Sequence, residues 1–505
     1  MKQIQGKIYI IGAGFAGKMI CREIKEKGIF GEVAAFLDDD TSKIGTKISG
    51  IPVIGPVMEI IPVLKHEAQD EALIAIPSAE KAYLSKLYTQ LKKSGFHKIK
   101  ILPGISQIIE GDAHLVQARE IDPQDLLGRD PQIIGLKESI AYLRGKRVLI
   151  TGAGGSIGSE LARQLLSGGA QRLYLFGHGE NSIYQIEREL KLLQQGGVGE
   201  SAVLVPVIGD IKDREFIFYI LNKLKADVIF HCAAYKHVPL MEANPVAAIE
   251  NNVFGTKNLL DGALESGVKR FVLISTDKAV SPVSVYGASK ALCEELILHY
   301  AKKAGENQSF MSVRFGNVLG SRGSVLPLFL DQISQGGPLT VTHKDMERYF
   351  MTIPEACSLV LKAGGVGENG KMYLLDMGEP LKIYNIALQL IRFYGFEPDK
   401  DIKIKIIGTR PGERLTEPLW LKEENPVPTS YPGILDLKDK KQSVDIEKVL
   451  GKLADIVLSG NPGTDYEKSY QEEDFPFEYR NKEKLKQILI EFFPSLTQTQ
   501  TESVV

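Results

Sequence analysis

Two periods alternate along this chain. Short, almost wholly apolar runs stand between longer stretches in which apolar residues return every three or four positions, the pattern of buried strands separated by amphipathic helices. Near the start the runs are 7–11, 33–37 and 73–77, and the alternation continues to about residue 101. It resumes at residue 146, with runs at 147–151, 172–176, 203–208, 227–232, 270–275 and 311–315. Strands apolar along their whole length are buried on both faces, so the pattern predicts an α/β fold with two doubly wound parallel sheets in tandem, the second larger. The sequence divides accordingly into 1–120, a connector over 121–145, a main domain over 146–425 and an extension over 426–505. The connector is rich in turn formers over 122–131 and carries an amphipathic helix before Gly145. After Phe315 the pattern turns irregular, where such folds carry a substrate lobe. The extension is polar and punctuated by Pro and Gly, with helices expected over 444–458 and 481–493 and disorder over 497–505.

Glycines mark where a ligand would lie. Gly152, Gly154, Gly155 and Gly158 follow the strand at 147–151 and, with Ser156 and Ile157, open a helix, so backbone amides can face a pyrophosphate. The first sheet has a similar turn, Gly12, Gly14 and Gly17, with Asp38 about twenty residues on, where a carboxylate can meet a ribose hydroxyl. That makes it a second, weaker nucleotide site. Only the second turn is followed by proton-moving groups: Thr276, Asp277 and Lys278 at a strand's carboxyl end, then Tyr286 and Lys290. Tyr286 and Lys290 are four apart on one helix face, where the ammonium can lower the phenol pKa.

At the tip of the second strand stand His178 and Asn181 rather than a carboxylate, which tilts the cofactor from NAD toward NADP, although His178 also reads as a plain loop residue. Asp210 and Ile211 close the third strand, placed to accept from an adenine amino group and to pack on its ring. A helix N-cap is the competing role for Asp210. His231 and His237 read as structural.

Bulk composition narrows the class. An apolar share of 44%, a charged share of 25% and a net charge of −2 describe a globular protein with no field for nucleic acid. The four cysteines, Cys21, Cys232, Cys293 and Cys357, lack disulfide or metal spacing and fit a reducing cytoplasm, with no metal site expected. No stretch approaches the roughly 18 apolar residues of a membrane span.

At its motifs the chain resembles extended short-chain dehydrogenase/reductases with Rossmann-like sheets, and more closely the nucleotide-sugar 4,6-dehydratases of the bacterial polysaccharide-biosynthesis (CapD-like) group. The stretches that carry the resemblance are ITGAGGSIGSE at 150–160, AAYKHVPLME at 233–242, NNVFGT at 251–256, STDKAV at 275–280, VRFGNVLGSRGS at 313–324, RYFMT at 348–352 and RPGE at 410–413. GEVAAFLDDD at 31–40 is similar to the extra amino-terminal Rossmann domain of the large members. Those members often carry Met where this chain has Tyr286.

The resemblance implies a UDP-sugar substrate, UDP-N-acetylglucosamine, and a dinucleotide that is regenerated each turnover. Tyr286, helped by Lys290, would take the O4 proton, Lys278 the C5 proton, and Asp277 would protonate the departing C6 hydroxyl, with Thr276 positioning O4. It places Ala233 and Ala234 with Tyr286 and Lys290 at the cofactor, and Lys236, Asn317, Ser324, Arg348, Arg410 and Glu413 at the nucleotide sugar. It also implies a homo-oligomer joined through helices flanking the active-site strand. Two other functions share much of this machinery: a nucleotide-sugar 4-epimerase, which would leave Asp277 and Lys278 idle, and a non-catalytic nucleotide sensor.

Overall fold

The computed structural model describes residues 6–27, 32–67, 69–76, 79, 81–96, 98–101, 119–120, 140–393, 396–438, 440–458 and 479–500. Most of the connector, its expected helix, Pro77 and residues 501–505 lie outside them. The chain forms two compact units, one from residues 1–130, 329–340 and 385–405, the other from 131–328, 341–384 and 406–505.

In the first unit, strands β1 (Lys7–Ile11), β2 (Glu32–Leu37), β3 (Lys47–Ile48), β4 (Ile51–Ile54), β5 (Glu71–Ile74), β6 (Lys98–Ile101) and β7 (Arg119–Glu120) form one sheet in the order β3-β4-β2-β1-β5-β6-β7. The pairings from β4 to β6 are parallel. Successive side chains of a strand point to opposite faces, and β1 obeys: Tyr9 and Ile11 join one apolar layer, Ile8 and Ile10 the other. Helices α1 (Phe15–Lys27) and α3 (Lys81–Lys93), with the short α2 (Val57–Ile60) between them, lie in the connections of this sheet.

In the second unit β8 (Arg147–Thr151), β9 (Arg172–Gly177), β10 (Val203–Ile208), β11 (Val228–His231), β12 (Arg270–Ile274) and β13 (Ser309–Arg314) lie within one or two residues of the apolar runs, except that β13 begins two residues early. With β17 (Met372–Leu375), β19 (Pro426–Pro428) and β20 (Ile434–Leu437) they make a nine-stranded sheet, order β10-β9-β8-β11-β12-β13-β17-β20-β19, antiparallel only at the last two pairings. Three helices cover the first crossovers: α4 (Ser156–Ser167), α5 (Glu180–Gln195) and α6 (Arg214–Leu224). After β11 come α7 (Val238–Ala243), α8 (Pro245–Ile249), a π-helical turn Glu250–Phe254 and α9 (Gly255–Glu265). The chain leaves β8 toward one edge and β11 toward the other, so their carboxyl ends flank the topological switch point where such sheets bind ligands. Along the chain after β13 come short strands, among them β14 (Asn317–Val318), β15 (Glu347–Arg348), β16 (Phe350–Met351) and β18 (Leu381–Lys382), and helices α11 (Val325–Ser334), α12 (Ile353–Val366) and α13 (Ile383–Phe393); β14 pairs with β16 and β15 with β18.

The nineteen-residue α10 (Val285–Lys303) follows β12 and is buried nearly all round. A helix apolar on every side needs cover on every side. The sheet supplies one side, α7, α8, the π-helical turn and α9 pack against another, and the carboxy-terminal α14 (Ile446–Val457) and α15 (Lys482–Phe492) close what remains, with Leu450, Leu453, Leu485 and Leu489 in one apolar cluster with Leu292 and Leu296. Each such leucine contributes about 1.5–3 kcal/mol of burial. Ser443 donates from its backbone and from Oγ, the latter at 2.6 Å, to the buried Glu295. Residues Pro494–Gln500 wind into a 3-10 helix where disorder was expected from 497, and Ser495 Oγ donates to the Pro282 carbonyl at 2.7 Å. These helices cover α10 within the same chain.

Among the described residues no helix is long and apolar enough to cross a membrane.

Candidate active site

The turn after β8 is built for close approach. Gly152 has φ +66°, and a Cβ there would stand 2.9 Å from the Ala233 backbone; one on Gly158 would stand 2.3 Å from the Gly152 carbonyl. Larger residues at either position would push α4 off the turn. α4 starts at Ser156 behind Gly155 with no side-chain cap, so its first amides are available to an anion, and Ile157 is the next residue in. His178 and Asn181 lie exposed at the tip of β9. Asp210 accepts from the Lys212 amide at 2.9 Å, and the N-cap of α6 is Asp213 instead. Ile211 is 3% exposed, its side chain packs beneath Gly255 and its carbonyl accepts from Asn258 Nδ2 at 3.1 Å, so the expected packing of its side chain on an adenine ring is not what the structure offers. Ala233 and Ala234 follow β11, half-buried, with Lys236 exposed beyond them. His231 is structural: Nδ1 lies 2.7 Å from Thr151 Oγ1 and Nε2 2.8 Å from Thr256 Oγ1.

Thr276, Asp277, Lys278 and Tyr286 form one cluster. Thr276 caps the short 3-10 turn Asp277–Ala279 and donates to Asp277 Oδ1 at 2.8 Å. Lys278 Nζ donates to the same oxygen at 3.0 Å and to Asn317 Oδ1, on β14, at 3.1 Å. Asp277 is 0% exposed, and its Oδ2 has no hydrogen-bond partner among the described residues. A buried carboxyl oxygen without a partner is costly and points to a group that arrives later. Ser284 caps α10 by accepting from the Gly287 amide at 3.0 Å, which sets Tyr286 in the first turn and Lys290 one turn on. Lys290 is 4% exposed, and no hydrogen bond or ion pair engages its ammonium among the described residues. The expected lowering of the Tyr286 phenol is not what the environment produces. Burial and then the charge of Asp277 push it up, and only the Thr276 hydrogen bond pulls the other way.

The residues expected to meet the nucleotide sugar divide. Asn317 joins the cluster, and Ser324 Oγ is buried without a partner among the described residues. Arg410 is exposed, and Glu413 lies in the same turn, its carboxylate accepting from the Arg410 amide at 3.3 Å. Arg348 does another job: its guanidinium donates to the carbonyls of Glu347, Leu415 and Arg414 at 2.6, 3.0 and 2.8 Å and is 7% exposed. Two of these three bonds hold the loop that follows Arg410. On that loop Arg414 donates to the Val280 and Ser281 carbonyls, bracing the segment before Tyr286.

Sequence reasoning missed two features. Glu417, 6% exposed and 3.8 Å from Arg348, is pushed above the usual glutamate range by burial while the nearby Lys278 pulls it down. Arg314, 1% exposed, bridges Glu294 and Glu424 at 2.8 and 2.7 Å, and Ser275, just before the cluster, donates to Glu294 at 2.6 Å. A charged residue inside an apolar run, as at Arg314, was the available signal.

In the first unit, Gly12 has φ +103°, and a Cβ on Gly17 would stand 1.9 Å from the Gly12 carbonyl, whereas Gly14 faces open space. Asp38 is already engaged. Its Oδ2 accepts from the Ala13 amide at 2.6 Å and its Oδ1 from the Asp40 amide at 2.8 Å, so the carboxylate ties the end of β2 to the glycine turn as well as closing its own turn. Among the described residues no group of three His, Cys, Asp or Glu could hold a metal ion.

The sheet order, the glycine turn and the Tyr-Lys helix define the class as a short-chain dehydrogenase/reductase of the nucleotide-sugar dehydratase and epimerase type. The family described as "Polysaccharide biosynthesis protein" matches residues 148–439, and "PglD N-terminal domain" matches 7–81. The chain belongs to the polysaccharide-biosynthesis family. It is 43% identical to the probable polysaccharide biosynthesis protein EpsC of Bacillus subtilis (strain 168), covering 84% of this chain and 70% of that one. Similarity to a UDP-N-acetylglucosamine 4,6-dehydratase (inverting) of Campylobacter jejuni (serotype O:23/36) is 32%, over 60% of this chain and 86% of the relative. A UDP-glucose 4-epimerase of Rickettsia canadensis stands at 33%, over 55% and 79%. The X-ray structure of Pen from Bacillus thuringiensis superposes with a TM-score of 0.53 and 31% identity, covering 59% of this chain and 90% of that one. The chain is thus a nucleotide-sugar-modifying enzyme of polysaccharide biosynthesis by family.

Proposed function

We propose that the second unit dehydrates UDP-N-acetylglucosamine to the 4-keto-6-deoxy sugar, with a nicotinamide dinucleotide at the turn Gly152 to Gly158. The glycine cradle and uncapped α4 fit its pyrophosphate. Exposed His178 and Asn181 in place of a carboxylate keep NADP as the favoured form. When bound, the dinucleotide supplies a hydride acceptor for C4 and a donor for C6.

The chain's own groups do the proton work. Tyr286 accepts the O4 proton, Thr276 orients that oxygen, and Lys290 holds the cofactor's ribose. A proton passed from Lys278 to Asp277 along their 3.0 Å hydrogen bond leaves an amine and an acid. The C4 ketone acidifies C5, Lys278 removes that proton, Asp277 protonates the C6 hydroxyl as it leaves as water, and the proton on Lys278 returns to C5 as C6 takes up hydride. Tyr286 is a phenol in the free protein, since burial and Asp277 hold it up. Its role as base therefore depends on the positive charge that an oxidised cofactor and Lys290 bring together. Asn317, Ser324, Arg410 and Glu413 contact the nucleotide sugar, with Arg410 suited to the diphosphate. Arg348 positions their loop.

The observation that carries this reading is Asp277: fully buried, one oxygen shared with Lys278 and Thr276, the other unpartnered. An epimerase needs Tyr286 and Lys290 but no acid and base aimed at C6 and C5. Similarity to an epimerase keeps that as the second reading. Proton NMR of the full-length protein with UDP-N-acetylglucosamine and catalytic NADP or NAD decides between them. A C6 methyl doublet without net cofactor reduction supports dehydration; conversion to UDP-N-acetylgalactosamine with C6 unchanged supports epimerisation, and an unaltered sugar refutes both for this substrate.

A further inference from the structure

Residues 319–324 cross the switch point and touch both of its sides. Leu319 is anchored by its amide to the Met351 carbonyl at 2.9 Å. Arg322 then reaches the glycine turn twice: its amide donates to Ser156 Oγ at 3.1 Å, and its Nη1 donates to the Gly154 carbonyl at 2.8 Å. Gly323, with φ +70°, presses on the loop after β11, where a Cβ would stand 2.4 Å from His237 Cε1. Ser324 turns back, its amide donating to the Ser321 carbonyl at 3.0 Å, before the next helix begins. The segment is a strap laid from the end of β8 to the end of β11.

Ser156 is the first residue of α4, whose amides would face the pyrophosphate. A residue whose amide bonds Ser156 Oγ is therefore within side-chain reach of the phosphates. Apart from the Nη1 bond to Gly154, no hydrogen bond or ion pair engages the guanidinium among the described residues, so Nε and Nη2 remain available. A planar guanidinium with two available donors matches a bidentate phosphate contact.

We propose that Arg322 is a cofactor latch: it binds the dinucleotide's diphosphate, holds the strap across the turn and slows cofactor release between turnovers. This rests on the redox-neutral reaction proposed above, in which the dinucleotide has no need to leave. Slow release then carries no kinetic penalty, unlike in a dehydrogenase that must exchange cofactor each cycle.

The test uses the full-length protein with Arg322→Ala and Arg322→Lys. Each is loaded with NADP or NAD and passed through rapid gel filtration; the retained nucleotide is quantified after acid release, and its off-rate is measured by chase with excess unlabelled nucleotide. Arg322 is exposed, so both variants should melt like the unaltered protein. The latch predicts an off-rate at least about 10-fold faster for Arg322→Ala, with Arg322→Lys intermediate because a point charge replaces the planar fork. Equal retention and off-rates across all three proteins would overturn the latch alone. Absence of bound dinucleotide from the unaltered protein as well would overturn both the latch and the reading beneath it.

Discussion

Replacing Arg314 by Met should be among the most damaging single changes outside the reacting groups. Arg314 is 1% exposed and donates to both oxygens of Glu294 at 3.0 and 2.8 Å, to both of Glu424 at 2.7 and 3.2 Å, and to the Leu419 carbonyl at 3.0 Å. Methionine is close in volume, so the packing loss is small and the electrostatic loss dominates. Two buried carboxylates would face each other, Glu424 keeping only Lys440 at 3.1 Å as a cation. Breaking a buried ion pair from one side costs about 3–5 kcal/mol. At about 2 °C per kcal/mol for a large unit, the melting temperature should fall by about 6–10 °C. Differential scanning calorimetry measures it. The triple variant Arg314→Met, Glu294→Leu, Glu424→Leu should recover part of the loss, because removing the three charges removes their desolvation cost while Ser275 and Lys440 lose their partners. The effect of pH has a definite sign. Burial pushes Glu424 up, but its bonds and charge contacts with Arg314 and then Lys440 hold it below the ordinary 4.5, so its contribution is present at neutral pH and lost as pH falls through the folded value. Without Arg314 burial prevails and protonation favours the folded state, so the gap between variant and unaltered protein should narrow toward pH 5. A melting temperature within 2 °C of the unaltered protein, or a gap that widens in acid, would refute the reasoning.

Three further outcomes are expected. Lys278→Ala should lower the rate of methyl formation by about 10²- to 10⁴-fold while dinucleotide binding is kept; NMR and cofactor titration check it, and normal turnover removes the base assignment. Tyr286→Phe should abolish C4 oxidation, seen as no cofactor reduction in a single turnover, whereas survival of activity in Tyr286→Met would show that the phenol is dispensable. His231, held at about 3 by burial and then by the charge of Lys290, should stay neutral from pH 8 down to pH 5 in a ¹⁵N-detected titration of its ring. Because the unfolded chain takes up that proton near 6.5, folding stability should decline below this pH by up to about 1.4 kcal/mol per unit.

Both parallel sheets were legible because strands covered on two faces leave nearly unbroken apolar runs, and β8 to β13 lie within two residues of them. The hairpin of β19 and β20 was not, since Pro426, Pro428 and half-buried Leu435 and Asp436 mark an edge where one face is wet. The cluster from Thr276 to Lys290 was readable because local spacing places it. Arg348 was not, because sequence shows a cation but not that three backbone carbonyls hold its guanidinium. Glu417 and Arg322 escaped for a related reason: each acquires its meaning from a partner far along the chain, Lys278 and Gly154 respectively. The direction of the Tyr286 shift depended on how deeply the phenol and Asp277 are buried together, which spacing alone does not encode.

The cover that α14 and α15 place on α10 sets an order of events during synthesis. Ser443 bonds Glu295 from 148 positions away, and Leu489 belongs to the cluster around Leu292. A ribosome that has delivered Tyr286 and Lys290 has not yet delivered the helices that close their support. Until residues 446–457 and 482–492 emerge, the part of α10 that they cover is left as apolar surface, open to chaperones and to mispairing with other nascent chains. That surface closes only when nearly the whole of the described chain is synthesised, later than the acid, the base and the phenol, which the Thr276 turn and the Ser284 cap place locally.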